Sequence, residues 1–389
     1  MDVEVKCVNF TKKMLKRKMP VSIQKDSFVS YCGIGNGGKI QTCLEAYAPV
    51  LFISGSYDNP KIVDYEPKEI DSMLNESDLY GPEGQGNKSN KIYDFKEVIT
   101  SSLEISSLWY NIFGSDRFVL NMRDADPGYL FYLVPDPSRF NDNYTTMVYG
   151  REAVFKSNEE ESSSFVNYRV LQYFFFYPYN NWLNKHEGDW EMIQVILDEN
   201  TKSPLKITYS WHYGGSTFDW NDSRVEKIAE THPVVYVASG SHASYWSKGD
   251  HKFSQHGIPC FFTDHADPVK TLIPLGSGIT SSDIQADLRY LPQTFYSLSN
   301  NIDQLLWTRW EGYWGETEMF SISGNSGPQG PYYQSIDKRY YRWRNPVAYA
   351  NRPMASHYSV CARSPVKLHV YDLKNKLRRG EPKDGQIWK

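Results

Sequence analysis

Two runs decide the fold: Phe165-Val166-Asn167-Tyr168-Arg169-Val170-Leu171-Gln172-Tyr173-Phe174-Phe175-Phe176-Tyr177 and, beyond Pro178, His186-Glu187-Gly188-Asp189-Trp190-Glu191-Met192-Ile193-Gln194-Val195-Ile196-Leu197. The first half of the first run alternates, and its aromatic and β-branched residues suit a pleated surface better than a helix. Its second half is aromatic throughout, which predicts a strand becoming buried on both faces and stopping at Pro178. In the second run, extended backbone at Asp189 puts Asp189, Glu191, Ile193, Val195 and Leu197 on one face. Leu205 to His212 and Val234 to Ala238 are further short apolar runs bounded by turn residues. Consecutive strands without long helical patterns between them predict a mainly β protein. Its core is a β-sandwich of antiparallel strands over 165–262, with peripheral short helices and long irregular loops.

Around this core, residues 1–40 read as an N-terminal arm, 41–350 as the sandwich domain, and 351–389 as a C-terminal tail packed on it. The arm carries the basic run Lys12 to Lys18, ending at Pro20, which suits a solvated terminal helix better than a membrane anchor. Tyr47 to Ile53 reads as a buried strand and Pro67 to Leu74 as a short helix. Residues 80–91 and 157–164 are loops by composition, and 282–308 carry a helical pattern divided by Pro292. From Trp310 the chain is rich in Trp, Tyr, Gly and Pro, which suits irregular wrapping of the core.

Composition narrows the function classes. The 42 basic and 46 acidic residues leave a formal charge of −4, so the field that phosphate-neutralising nucleic-acid binders rely on is absent. Aromatic residues make up 15% of the 389, a supply of flat apolar faces with polar handles. No standard secretory signal opens the sequence and no apolar run is long enough to span a membrane, so the chain reads as soluble. The five cysteines are spread without a C-x-x-C, which argues against a zinc cluster; Cys32 and Cys43 suit either one loop-closing bridge or free thiols.

Chemistry concentrates in one stretch, since seven of the nine histidines fall between His186 and His265. Two carboxylates head the core-facing row of the second run. Spaced ~7 Å apart at Cα, Asp189 and Glu191 can converge on one ion, and burying both charges uncompensated would be expensive. A divalent cation answers that penalty, with His186 adding nitrogen across the turn at Gly188; oxygen ligands with one imidazole favour Mg²⁺, Mn²⁺ or Ca²⁺ over Zn²⁺. The plainer alternative pairs the carboxylates with Arg or Lys, or uses them to cap the turn. The second motif, Tyr236-Val237-Ala238-Ser239-Gly240-Ser241-His242-Ala243-Ser244-Tyr245-Trp246, leads into Gly249-Asp250-His251. Here His242 and His251 are candidate further ligands or an acid/base pair, against an ordinary role as hydrogen-bonded strand ends. Ser241 lacks the G-x-S-x-G elbow of a hydrolase nucleophile. Trp211, Tyr213, Ser241, His242, Tyr245 and Trp246 are the candidate ligand-contacting residues.

The motifs H-E-G-D-W-E (186–191) and Y-V-A-S-G-S-H-A-S-Y (236–245) occur with Gly312-Tyr313-Trp314-Gly315, Gly327-Pro328-Gln329-Gly330-Pro331, Tyr47-Ala48-Pro49-Val50-Leu51 and Tyr65-Glu66-Pro67. Together this set resembles the vacuolar protein sorting-associated protein 62-like family over roughly residues 40 to 350. More remotely, Lys185 to Glu191 after Tyr177-Pro178-Tyr179-Asn180 resembles the G-H-R-H-D-W-E heptapeptide and upstream Y-x-P-K-D of the necrosis- and ethylene-inducing-like proteins. That resemblance implies a β-sandwich whose acidic cavity binds a divalent cation and engages sphingolipid sugar headgroups. Carried over by position, His186, Asp189 and Glu191 line the metal, with Asn180 where the family has an acidic ligand. Glu187 and Gly188 stand where the family has Arg and His, and Asn180 removes one charge.

The leading expectation is therefore a divalent-metal-bearing β-sandwich that binds a glycan or lipid headgroup, toxin-like and in peripheral contact with a membrane. The alternatives are a metal-assisted hydrolase of an ester or phosphodiester, with His242 or His251 as acid/base, and a non-catalytic structural or sorting-associated protein. Nucleic acid is not an expected partner.

Overall fold

The computed structural model describes residues 31–34, 40–61, 65–70, 77–80, 91–94, 132–135, 145–158, 165–182, 185–212, 214–255, 258–279, 284–291, 313–314, 328, 330–332 and 342–351. Nineteen strands and two short helices lie among them. The strands are β1 (Tyr31–Ile34), β2 (Ile40–Thr42), β3 (Val50–Ser54), β4 (Ser77–Tyr80), β5 (Lys91–Asp94), β6 (Tyr132–Pro135), β7 (Met147–Asn158), β8 (Phe165–Asn180), β9 (His186–Asp198) and β10 (Pro204–Trp211). They continue as β11 (Gly214–Asp219), β12 (Lys227–Ile228), β13 (His232–Val237), β14 (Ser244–Tyr245), β15 (Gly249–Gln255), β16 (Ile258–Ala266), β17 (Pro268–Pro274), β18 (Ile284–Leu291) and β19 (Tyr313–Trp314). The helices are α1 (Cys43–Ala46) and α2 (Pro346–Ala350).

One mixed sheet dominates, in the order β11-β10-β9-β8-β7-β18-β17-β3-β13-β12, with β14 hydrogen-bonded to β13. Strands β7 to β11 are consecutive and antiparallel, as their short apolar runs require. Three other pairings are parallel: β3 with β13, β17 with β18, and β18 with β7. The sheet curls on itself. Leu51 and Ile53 of β3, Leu171 and Tyr173 of β8, Val195 of β9, Val235 and Val237 of β13 and Leu272 of β17 share one fully buried core cluster, so two layers of a sandwich come from a single hydrogen-bonded sheet. Each fully buried side chain of this size contributes about 1.5–3 kcal/mol.

The double-sided burial of β8 follows from its aromatics. Phe175 and Tyr177 enter the main core, while Phe174 and Phe176 face the other way and are equally buried. That outer face is covered from the C-terminal part: Trp314 lies 5.5 Å from Phe176 and Trp343 lies 5.4 Å from Phe174, ring centre to ring centre. Val347 and Ala350 of α2 pack on Val170 and Ile196. The expected wrapping by the segment beyond Trp310 is seen in these residues.

Several expectations change. β8 does not stop at Pro178: the ladder skips that position and resumes with Tyr179 opposite Glu187, because a proline removes one donor and Gly188 supplies a left-handed turn across from it. The pattern over 282–308 is not helical where it is described, since 284–291 form β18, paired with β7 and β17; tertiary pairing overrides local pattern. The strand expected from Tyr47 begins only at Val50, after α1, whose Thr42 and Glu45 form a reciprocal cap. Cys32 and Cys43 are disulfide-bonded. The helix expected at 67–74 is not formed at Lys68, which bridges Thr146 antiparallel, and the loops expected at 80–91 and 157–164 give up Tyr80 to β4, Lys91 to β5 and Ser157 and Asn158 to β7. The remainder of these loops, 71–74, most of the arm and the tail beyond 351 lie outside the described residues. No helix among the described residues is long and apolar enough to cross a membrane.

Candidate functional site

Asp189 sits near the start of β9, opposite Tyr177 of β8, on the same face as the buried Ile193 and Val195. Its carboxylate is 6% exposed as a residue and accepts from two different elements. The Asn180 amide donates at 3.0 Å from the end of β8, and the His242 Nδ1–H donates at 3.2 Å from the turn between β13 and β14. The imidazole of His242 lies flat on the Tyr177 ring, 4.1 Å between centres and 8° from parallel. Holding it there requires a left-handed backbone at His242 (φ 53°), beside Gly240 (φ 75°). Such a conformation at a non-glycine residue persists only when surrounding contacts over-determine it. Gly188 (φ 64°) makes the equivalent bend in β9, and a Cβ there would lie 2.3 Å from the Trp314 carbonyl oxygen.

Glu191, two residues along the same face, is buried and takes its own partners. Ser210 of β10 donates to Oε2, and the Arg342 guanidinium stands 3.8 Å from that oxygen. Burial pushes its carboxyl well above the ordinary range; Arg342 and Ser210 oppose the shift, while the charges of Asp189 and Asp264 add to it. His186 donates from Nδ1 to the Gly188 carbonyl at 2.9 Å, a tautomer that leaves Nε2 as an acceptor. Burial holds its pKa down, against the pull of Asp189.

A third carboxylate completes the cluster. Asp264 of β16, fully buried, accepts from Tyr245 at 2.7 Å, Ser241 at 3.0 Å and His212 Nε2 at 3.0 Å. His251 stacks on Tyr245 at 3.8 Å and donates to the Ser247 carbonyl, so of the two candidate histidines it is His242 that meets Asp189. Ser241 directs its proton to a carboxylate rather than to an imidazole base. Above the cluster lies a polar rim. The Asn181 side chain donates to Asp58 at 2.8 Å, Lys185 pairs with Asp58 at 3.5 Å, and the Asn181 amide donates to the Gly240 carbonyl. Tyr57, 41% exposed, packs against Gly240.

The structure thus brings together Asn180, His186, Asp189, Glu191 and His242. The other expected contacts divide. Trp211 and Tyr245 are fully buried and Trp246 is partly buried against Phe218, while Tyr213 lies outside the described residues. Sequence reasoning passed over Asp264, Ser210, Arg342 and the rim. Asp264 had a signal, because it closes the histidine-rich stretch beside His265; Arg342, far along the chain, had none. As a metal centre the four expected ligands do not form a ready cage. Asn180 turns its amide nitrogen toward Asp189 while its carbonyl accepts from Trp182, and Glu191 faces Ser210 and Arg342. Among the described residues no group of three or more His, Cys, Asp or Glu is placed to hold a metal ion.

No protein-family model matches the chain. It is similar to two proteins of Saccharomyces cerevisiae. Vacuolar protein sorting-associated protein 62 is 23% identical over 211 residues, 44% of this chain and 43% of that protein. Putative vacuolar protein sorting-associated protein TDA6 is 24% identical over 210 residues, covering 43% and 41%. The chain therefore spans less than half the length of the curated relatives it matches. Among solved structures it is similar to NLPPya in complex with glucosamine (17% identity, 38% of this chain and 52% of that one, TM-score 0.21). NLPPya in complex with mannosamine (17%, 41% and 57%, 0.22) and the non-toxic HaNLP3 protein (16%, 40% and 56%, 0.22) are similar to the same degree. Both resemblances carried by the sequence motifs recur among these proteins.

Proposed function

We propose that the cluster around Asp189 binds a polar headgroup that brings positive charge, an amino-sugar glycan or glycolipid headgroup being the class that fits. One observation carries the reading: among the described residues, the buried carboxylates of Asp189 and Asp264 both act electrostatically on the buried Glu191, and the guanidinium set against it is that of Arg342. Such a cluster favours a cationic ligand, and an ammonium-bearing sugar combines that charge with hydroxyls for the Asn181, Asp58 and Tyr57 rim. His186 Nε2 and the asparagine amides supply neutral acceptors and donors beside it.

A divalent cation, Mg²⁺, Ca²⁺ or Mn²⁺ before Zn²⁺, is the second reading, favoured by the same excess of carboxylates. Asp189 and His186 would be its nearest donors, with Asn180 turned to present its carbonyl. Membrane contact would follow if the sugar is borne on a lipid. The test is binding to glycan and glycolipid arrays with and without chelator, paired with turnover assays on esters and phosphodiesters. Chelator-insensitive binding to amino sugars fits the first reading, and chelator-sensitive binding the second. Turnover in the absence of either would move the chain to the hydrolase class. A blank result on every probe would leave the sorting-associated role suggested by the relatives' names.

A further inference from the structure

Residues 342–351 form a strap across the outer face of β7, β8 and β9, and the sheet grips its backbone. Arg151 donates to the Trp343 carbonyl at 2.7 Å, Gln172 to the Arg342 carbonyl at 2.7 Å, and Gln194 to the Pro346 carbonyl at 2.8 Å. These three donors are buried side chains on successive strands, so the face is built to receive this segment. The strap reaches back. Arg342 Nη2 donates to the His212 carbonyl, and Tyr349 donates to the Gly214 carbonyl, its hydroxyl standing 2.4 Å from where a Cβ on Gly215 would lie. Arg342 is 1% exposed, and its Nη1 has no hydrogen-bond partner among the described residues while standing 3.8 Å from Glu191 Oε2.

We propose that Arg342 is the built-in counter-cation of the acidic cluster, so that the 342–351 strap is part of the site and strap docking and the Glu191 carboxylate hold each other in place. The proposal deepens the headgroup reading by assigning Glu191 to an internal partner and leaving Asp189 as the carboxylate that meets a ligand. It rests on the strap's own contacts and does not need that reading to be true. The physical ground is the asymmetry of buried ion pairs. Removing one partner strands the other charge away from water and is strongly destabilising, whereas removing both is close to neutral. A strap held only by its hydrogen bonds with Arg151, Gln172, Gln194, His212 and Gly214 would show no such dependence on Glu191.

The experiment is a double-mutant cycle of Arg342→Gln and Glu191→Gln in the full chain, read by thermal melts without any sugar on the alkaline side, where the folded Glu191 has given up its proton, with hydrogen exchange followed in peptides covering 342–351 under the same conditions. Arg342→Gln should lower the melting temperature by about 6 °C or more, and adding Glu191→Gln should restore at least half of that loss. Glu191→Gln alone should speed exchange of the strap amides about tenfold or more, because the guanidinium beneath them has lost its carboxylate. Additive losses in the cycle, or strap exchange unchanged by Glu191→Gln, would overturn the proposal and leave Arg342 a hydrogen-bonding tie. Should Arg342→Gln fail to fold, Arg342→Lys, which keeps the charge, must fold and melt above it, and the exchange readout on Glu191→Gln still decides. No sugar enters these readouts, so coupling without sugar binding would defeat the headgroup reading alone, and sugar binding without coupling would defeat this proposal alone.

Discussion

Three buried histidines set how this protein meets acid. His186, His232 and His251 each titrate below the ordinary 6.5, burial being the first cause in every case, and His232 does so away from the site, bonded to the Ala48 carbonyl at 2.8 Å. A depressed pKa means the folded state resists the proton that the unfolded chain accepts. Their contribution is therefore full above pH 6.5 and is lost as pH falls below it. Glu191 works with the opposite sign. Its raised pKa lets the folded state keep a proton that the unfolded chain releases, so its contribution is full below 4.5 and is lost as pH rises through the folded value. Urea midpoints across pH should therefore fall on the acid side of 6.5. His232→Gln should flatten that fall, and Glu191→Gln should flatten the decline on the alkaline side. Gly188 offers a separate test. An added methyl would meet the Trp314 carbonyl at 2.3 Å on a left-handed backbone, so Gly188→Ala should destabilise by about 2–4 kcal/mol in denaturant melts and separate the start of β9 from β19. A cost below about 0.5 kcal/mol would show that this approach is not held in solution.

At the scale of elements, the strands with the clearest local pattern were legible. The aromatic run of β8 announced burial on both faces, and the apolar row Ile193, Val195, Leu197 placed Asp189 and Glu191 on the core side, where the structure has them. What stayed hidden was what depends on distant pairing. The parallel pairs β3–β13 and β18–β7 join segments far apart in sequence and leave no local signature. β18 carries a pattern that reads as helical until its neighbours are known. The same logic holds at the site: Asp189 and His186 stood in one motif, whereas Arg342 enters from a strap whose docking only the folded sheet defines. The bridge between Cys32 and Cys43, 11 residues apart, ties β1 to the start of α1. Closing a loop of that length restricts the unfolded chain by about 2–3 kcal/mol. Reduction, or Cys32→Ser with Cys43→Ser, should lower stability by that amount in equilibrium melts while leaving the site's response to ligand intact.

Among the described residues, the curled main sheet and the β15–β16 hairpin bring together polar groups from β8, β9, β10, the β13–β14 turn and β16, and the 342–351 strap is fastened over the outer face of β7, β8 and β9. Asp189 and Asp264 are tied to the rim through Asn180, Ser241 and His242, whose chain neighbours Asn181 and Gly240 meet Asp58 and Tyr57. Asp189 is the carboxylate bonded to Asn180 and His242, the neighbours in sequence of the rim's Asn181 and of the Gly240 turn, while Arg342 stands against Glu191, so Asp189 is the residue to test. The most direct measurement is calorimetric titration of glucosamine, with glucose as the uncharged control, into the wild type and Asp189→Asn at low ionic strength. The wild type should bind glucosamine saturably and glucose more weakly, and Asp189→Asn should lose at least about tenfold in glucosamine affinity with its melting temperature nearly unchanged. Equal affinity for the two sugars, equal binding by the two proteins, or no heat from either would contradict the headgroup reading.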